Sequence, residues 1–256
     1  MLHEHKICPA ITLPAEVTPS SLSAFEQDLG RHLDLSTQIV EVDCSELTRI
    51  TSGHIGMLWR AHTRCAEIKA AVHLLTPSSG LMRILEAMDL REMFRIGIVM
   101  QTSDDEITVC RETDALTEYD DEYHLSVIDI DNAIDRLVAF LSQAGVPALI
   151  IFDLRTICYE VSTNIRLHAK MECSQTISLN AIIGDDVIML SFTDRGPAFD
   201  LTASAKKLDG RVTALKRQYH GFGIAMILRL SDRMKYAREE GLKNVLTIEK
   251  YWRKRP

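Results

Sequence analysis

Short apolar runs alternate with helical periodicities along the first hundred residues. Residues 38–43 form a run rich in β-branched side chains that predicts a strand, and residues 71–75 predict a second one. Between them, apolar side chains recur with helical spacing over residues 52–68, and the Pro-Ser-Ser sequence at 77–79 opens another predicted helix. Helices of this kind must cover a sheet, so residues 1–100 are predicted to form a small α/β domain.

The remainder of the chain has a different order of elements. Its predicted elements are, in chain order, helices over 131–144 and 147–170, strands over 175–183 and 187–193, a helix over 222–233 and a hairpin over 235–251. A long stretch without clear structure, residues 200–220, separates the second strand from the last helix. This order predicts an α+β domain over residues 125–256, with helices layered on one face of a mixed sheet.

An acidic run separates the two patterns. Residues 101–124 contain nine acids and one base, and such runs are usually solvated and poorly packed. We therefore interpret residues 101–124 as a linker, part of which can be a strand of the second domain. Residues 201–256 are the opposite, with fourteen bases and five acids, which indicates a solvated face or a basic surface close to phosphate.

Composition excludes several classes of protein. The chain has 256 residues, of which 46% are hydrophobic and 25% charged, so it can fill a sizeable core and is not a disordered chain. The net charge of −7 argues against direct nucleic-acid binding, and no apolar run approaches the ~20 residues of a membrane span. Six scattered cysteines without a C-x-x-C pair indicate reduced thiols. We therefore expect a cytoplasmic protein without membrane or nucleic-acid partners.

Three polar patterns in the second domain point to chemistry. Glu160, Asn164 and His168 are spaced i, i+4, i+8, so they share one face of the predicted second helix and lie off its apolar stripe. A carboxylate and an amide on one face can hold a divalent cation beside a phosphate. Taken alone, the spacing is also typical of a polar face on a surface helix.

The other two patterns follow the strands. Asp194 begins the sequence DRGPAFD at a strand end, where an aspartate can accept a hydrogen bond from an exocyclic amine and Gly196 allows the backbone close to a flat ring. Gly221 and Gly223 open the last predicted helix, whose N-terminal N–H groups suit phosphate. An ordinary turn and plain loop closure are the simpler interpretations of these two patterns.

In combination, these patterns have a specific resemblance. The order E-x-x-x-N, then D-x-G-x-x-F-D after two strands, then G-x-G opening a helix, resembles the Bergerat ATP-binding fold of gyrase, Hsp90, histidine kinases and MutL. The nearest variant looks like the bacterial anti-sigma-factor serine kinases. The resemblance covers about residues 125–251 and implies an α/β sandwich that binds ATP and Mg²⁺.

The resemblance also implies a role for each matched residue. Asn164 would ligate Mg²⁺, and Glu160 would orient or activate the attacking hydroxyl. Asp194 would bind the adenine amine with Gly196 beneath the ring, and residues 200–220 would form an ATP lid. The remaining implied ATP-binding residues are His168, Phe199, Gly221 and Gly223. No histidine has the setting of a phosphoacceptor helix, which argues against autophosphorylation of the two-component type.

The first domain carries a second resemblance. The sequence T-S-G-H-I-G at 51–56 follows a strand and a short loop and begins a helix. Ser52 can be an N-cap there, but a helix N-terminus also favours a phosphoryl group on that serine. The stretch resembles the D-S-S-G-L-G motif of STAS domains in anti-anti-sigma factors, although Ile50 stands at the acidic position. The resemblance covers about residues 5–100 and implies Ser52 as the phosphoacceptor, with Thr51 as a second choice.

These features predict a partner-switching regulator of bacterial transcription or signalling. Its second domain would be a serine/threonine-protein kinase that transfers phosphate from ATP-Mg²⁺ to Ser52 or to a separate STAS protein. Its partners would be STAS-domain or sigma-factor-like proteins, and a homodimer is expected. The alternative is a non-catalytic binding module that responds to nucleotide. An ATP hydrolase of the gyrase or Hsp90 kind would need a mechanical domain, for which about 100 further residues leave little room.

Overall fold

The fold is taken from a computed structural model of the chain. The structure describes residues 9–33, 37–100, 117–168, 175–198, 222–239 and 243–252. Backbone contacts divide the chain into two compact units, residues 1–102 and 103–256. Most of the predicted linker, residues 101–116, lies outside the described residues.

The first unit is built on a parallel sheet. Its strands are β1 (Ile11–Thr12), β2 (Ile39–Asp43), β3 (Ala71–Leu75) and β4 (Phe94–Ile96), paired in that order. Its helices are α1 (Pro19–His32), α2 (Ser52–Glu67) and α3 (Ser79–Ala87), followed by a 3₁₀ turn at Arg91–Met93. Each parallel pair requires a crossover, and the three helices provide these crossovers. The predicted α/β class is therefore confirmed.

The sequence explains where the helices of this unit begin. Thr18 caps α1 by accepting from the Ser21 N–H, with Pro19 at the first helical position. Ser78 caps α3 in the same way through the Leu81 N–H. The core lies between the sheet and these helices and contains fully buried residues such as Leu58.

The second unit combines helices with a five-stranded sheet. Its strands are β5 (Thr117–His124), β6 (Thr176–Ile183), β7 (Val187–Asp194), β8 (Arg233–Glu239) and β9 (Lys243–Tyr251). Its helices are α4 (Val127–Gln143), α5 (Ala148–His168) and α6 (Phe222–Leu230). After α4 the backbone turns at Gly145, which has a φ of 76° and supplies the left-handed residue predicted there.

The sheet of the second unit differs from the predicted mixed sheet. Its order is β5-β6-β7-β9-β8, and every described pair of strands is antiparallel. Two sequential hairpins account for the antiparallel pairs β6-β7 and β8-β9, whereas β5-β6 and β7-β9 join strands that are separated by other elements. The sandwich class is confirmed, whereas the mixed sheet is wrong.

Strand β5 comes from the acidic run. Residues 117–124 pair along their whole length with β6, so this part of the run belongs to the sheet. Tyr123 is 4% exposed, whereas Glu118, Asp120 and Glu122 are exposed on the opposite face. The acidic composition therefore hides a strand whose inward positions alternate with solvated carboxylates.

One face of the antiparallel sheet is covered by helices. Alternate residues of β6, β7 and β9 are buried, and they include Leu179, Leu190 and Ile248. Helices α5 and α6 pack against each other.

In the part of the chain that the structure describes, no helix combines the length and apolar character needed to cross a bilayer. The three cysteines described there, Cys44, Cys65 and Cys158, are buried free thiols.

Candidate functional site

Helix α5 carries a buried polar pair one turn apart. Glu160 is 3% exposed and Asn164 is 9% exposed. The Asn164 Nδ2 donates a hydrogen bond of 2.7 Å to the main-chain carbonyl of Glu160. Only the amide nitrogen can donate to a carbonyl, so this bond fixes the orientation of the amide. The amide oxygen, Oδ1, is the atom of Asn164 that remains for a donor or a cation.

A second buried polar group lies at the end of β7. Asp194 is 7% exposed, and its Oδ1 accepts the Gly196 N–H at 2.7 Å and the Asn244 Nδ2 at 2.8 Å. Two donors on one oxygen fix the rotation of the carboxylate. Both of these bonds use Oδ1, and the other oxygen, Oδ2, takes neither of them.

Asn244 of β9 connects this turn to the last hairpin. It is 3% exposed, and its Nδ2 lies 3.1 Å from the Gly196 carbonyl and 3.2 Å from the Pro197 carbonyl. Its Oδ1 accepts the Tyr236 hydroxyl at 2.8 Å and the Arg238 Nη1 at 2.7 Å. The turn that follows β7 is therefore held by side chains of β8 and β9.

Sequence reasoning did not single out Asn244, although a signal was present. Asn244, Leu246, Ile248 and Lys250 alternate along β9 and are all buried. A polar residue at each end of an inward-facing apolar alternation indicates a buried polar contact, because unpaired polar groups are costly in a core. The two positions mark two polar clusters among the described residues of this unit.

Lys250 forms the other cluster. Its Nζ lies 2.8 Å from the Asp153 Oδ2 on α5 and donates at 2.7 Å to the carbonyl of Leu230, the last residue of α6. Asp153 is fully buried and Lys250 is 9% exposed. The ion pair connects α5, and the hydrogen bond to Leu230 connects α6, to the sheet face that also carries Asp194.

The strand register shows which end of the sheet each cluster occupies. Asn244 pairs with Asp194, and Lys250 lies six residues further along β9, about 20 Å away. Helix α5 is anchored beside Lys250 through Asp153. The next strand in the chain is β6, and its first residues pair with the last residues of β7. Asn164 is eleven residues from Asp153, about 16 Å along the helix. We therefore expect the buried pair of α5 to lie toward the Asp194 end.

The remaining predicted residues of this site divide into two groups. Gly223 is buried in the first turn of α6, about 10 Å along the helix from the Leu230 end that Lys250 holds. His168 is the last residue of α5. Phe199, Gly221 and the predicted lid at 200–220 lie outside the described residues.

The predicted phosphoacceptor of the first unit begins helix α2. Thr51 is the N-cap and Ser52 is the first helical residue, so the N-cap interpretation of Ser52 is wrong. The Thr51 N–H donates to His54 Nδ1 at 3.0 Å, and the Thr51 hydroxyl lies 2.9 Å from the same nitrogen. His54 Nε2 lies 3.0 Å from the Pro14 carbonyl, which can only accept, so Nε2 carries the proton.

The residue after Ser52 has no room for a side chain. A Cβ on Gly53 would lie 2.9 Å from the Val17 Cγ1. The start of α2 therefore packs closely against the segment that precedes α1, and glycine is needed at this contact.

Comparisons with known families match both units. Residues 125–250 match the family model for the histidine kinase-like ATPase domain. Residues 1–99 match the family model described as Mlab, STAS domain. The chain joins a STAS domain to a histidine kinase-like ATPase domain. No curated protein matches the chain.

Among solved structures, the chain is similar to one described as the crystal structure of the SiaB-SiaC complex from Pseudomonas aeruginosa. The match has 16% sequence identity and a TM-score of 0.42, and it covers 51% of this chain and 88% of that one.

The chemistry of the ATPase domain limits how a cation would be held. Within the described ranges, no group of three histidine, cysteine or acidic side chains is arranged to hold a metal ion. Mg²⁺ characteristically takes only one or two protein ligands and completes its shell with phosphate oxygens and water. The oriented amide oxygen of Asn164 fits that mode of binding.

The STAS domain carries a buried histidine whose protonation opposes folding. Burial lowers the pKa of His54, and its hydrogen bond to Pro14 opposes this shift only in part. The folded state therefore favours the neutral ring, whose Nδ1 accepts from Thr51. This contribution to stability is present above the ordinary histidine pKa of about 6.5 and decreases as the pH falls below it.

We expect the melting temperature of the protein to fall between pH 7.5 and 5.5 more steeply than in the variant His54→Gln. Glutamine retains a donor and an acceptor but does not titrate, so it removes this proton-linked contribution. Thermal unfolding followed across this pH range measures the difference. Parallel pH profiles for the two proteins would contradict the assignment.

Proposed function

We propose that this protein is a partner-switching regulator whose ATPase domain phosphorylates a serine on a STAS domain. A histidine kinase-like ATPase domain implies ATP binding, and its combination with a STAS domain supports partner switching. The acceptor is Ser52 of the same chain, of a second copy in a homodimer, or the corresponding serine of a separate STAS protein.

The observation that carries the proposal is that Asn164 and Asp194 are both buried and that each is oriented by its own hydrogen bonds. Asp194 is held at Oδ1 by two N–H donors, which supports a role as acceptor for the exocyclic amine of adenine through Oδ2. Asn164 has its amide nitrogen engaged by the helix, which supports a role for its oxygen as a ligand. Gly196 would lie beneath the purine ring and Gly223 close to the phosphates.

Glu160 would act on the attacking hydroxyl. The serine oxygen forms a bond to the γ-phosphorus, the bond to the bridging oxygen of ADP breaks, and the hydroxyl proton passes to the Glu160 carboxylate. The burial of Glu160 supports this role because water would compete with the serine for the same position. Bound Mg²⁺, held by Asn164, would neutralise charge on the phosphate oxygens.

The product would carry its charge at the start of α2. Phosphorylation adds ~1.5–2 negative charges at pH 7, and a helix N-terminus stabilises a nearby anion. A partner that docks on this surface through acidic groups would be repelled by the phosphate and released. The Thr51 hydroxyl, in contact with His54, is the second candidate acceptor at this helix end.

Binding of ATP should raise the melting temperature of the protein in a manner that depends on Mg²⁺. Stabilisation follows RT ln(1 + [L]/Kd), so nucleotide at about 100 times Kd should add about 2.7 kcal/mol. We expect Asn164→Ala to lose the part of the stabilisation that Mg²⁺ adds. Asn180→Ala is the control, since the described hydrogen bonds of the Asn180 side chain go only to Glu118 and Asp120. Equal stabilisation by ATP with and without Mg²⁺ in the parent would contradict the ligand role.

A further inference from the structure

We propose that Asn244 is a positioning residue that makes the nucleotide site select a 6-aminopurine over a 6-oxopurine. The inference rests on the proposed function and adds to it a residue that determines specificity. Five polar atoms surround the Asn244 amide.

The orientation of the Asn244 amide is fixed by its chemistry. The guanidinium of Arg238 can only donate, so the atom 2.7 Å from it must be the amide oxygen. The amide nitrogen therefore faces Asp194 and the carbonyls of Gly196 and Pro197, all of which accept. Aspartate at position 244 would lack these donors, and a shorter hydroxyl side chain could not reach both sets of partners.

This orientation determines what Asp194 can offer to a ligand. Its Oδ1 accepts from Asn244 and Gly196, so the carboxylate cannot rotate without breaking two buried hydrogen bonds. A ligand consequently meets Oδ2 as a fixed acceptor. The amine at C6 of adenine donates to such an oxygen, whereas the carbonyl at C6 of hypoxanthine or guanine would be repelled by it.

The same amide also holds the turn that Asp194 begins. Its bonds to the carbonyls of Gly196 and Pro197 connect that turn to β8 and β9. Without Asn244, the carboxylate keeps only the hydrogen bond from the Gly196 N–H, and the turn keeps only the longer contact of 3.5 Å between Arg238 Nη1 and the Gly196 carbonyl. Asn244 therefore acts on the base through Asp194, and discrimination at C6 is the property that depends on it.

The test compares the affinities of the full chain for ATP and inosine triphosphate, which differ at C6 of the base. Calorimetric titration is carried out on the parent, Asn244→Ala and Asn180→Ala. Asn180 also donates two side-chain hydrogen bonds in the same sheet, at 2.9 Å each, but on the β5-β6 side. We expect Asn244→Ala to lower the preference for ATP by roughly tenfold, the effect of losing a buried hydrogen bond to a charged group. Asn180→Ala should keep the parental preference.

A gentler variant covers the case in which Asn244→Ala does not fold. Tyr236→Phe removes only the hydroxyl that donates to Asn244 at 2.8 Å, and the preference should fall by a few-fold. An unchanged preference in the folded Asn244 variant, or in Tyr236→Phe if the first does not fold, overturns the inference and leaves the proposed function intact. A parent that binds neither nucleotide overturns the proposed function and the inference together.

Discussion

Replacing Lys250 with methionine should lower the free energy of unfolding of the ATPase domain by about 3–5 kcal/mol. Asp153 is fully buried, and Lys250 supplies its cation at 2.8 Å. The variant takes the cation at 2.8 Å away from a buried carboxylate, which costs far more than the pair itself contributes. The carbonyl of Leu230 would also lose its donor at the end of α6. Urea denaturation of the parent and the variant measures the loss.

Two further variants separate this effect from a general sensitivity of the sheet. Lys235→Met changes an exposed lysine on the neighbouring strand, and we expect it to lower the free energy of unfolding by less than about 0.5 kcal/mol. The double variant Asp153→Leu with Lys250→Met removes both charges and should recover most of the stability, since apolar replacement of a whole buried pair is often neutral or favourable. A Lys250→Met protein as stable as Lys235→Met would contradict the assignment.

The variant Glu160→Gln should bind ATP like the parent and lose phosphoryl transfer by about 10²–10⁴-fold. Glutamine keeps the size of the side chain but cannot take the proton from the acceptor hydroxyl, and general bases contribute rate factors of this size. Labelled ATP with Mg²⁺, supplied to the protein alone and with STAS partners, measures the transfer. Label that the protein takes up when it is incubated alone should map to Ser52 and disappear in Ser52→Ala.

The same experiment discriminates between a kinase and a non-catalytic module. Glu118→Gln, an exposed change in the same domain, should leave transfer unaffected. If the parent binds ATP tightly and no acceptor is labelled, nucleotide acts only as a conformational signal. Label that moves to Thr51 would retain the kinase and change the acceptor.

The elements with local signals are the ones that the sequence predicts well. The sequence predicts α2 at 52–68, and the helix spans Ser52–Glu67. It predicts α5 at 147–170, and that helix spans Ala148–His168. Both have a continuous apolar stripe, which depends on residues three and four apart. The pair Glu160 and Asn164 could be proposed for the same reason, since both residues lie within one helix.

What the sequence does not reveal depends on distant partners. Asn244 meets Asp194 fifty residues away in the chain, and the Asp153–Lys250 pair spans nearly one hundred. No spacing rule connects such residues before the strand order is known. The sequence does show that each of these polar residues lies at an inward-facing position of its own helix or strand. It does not show which residue is its partner.

One local prediction is wrong and another is incomplete, for reasons within a few residues. Ser52 was considered as the cap of α2, but Thr51 takes that position because His54 accepts its N–H. The acidic composition predicts a linker, part of which can be a strand, but it does not show which part, and the last third of the run is β5. Inward-facing tyrosines replace the aliphatic residues that usually identify a strand, and the carboxylates between them conceal the alternation.

The strand order of the ATPase domain has a consequence for biosynthesis. Strand β9 is the last strand of the sheet in sequence, yet it lies between β7 and β8. The ribosome must therefore complete residues up to 251 before the sheet can close, whereas the described strands of the STAS domain all lie within the first hundred residues. We expect the STAS domain to fold while translation continues and the ATPase domain to fold only after β9 has been synthesised. Until then, the edge of β7 that will pair with β9 is open to chaperones.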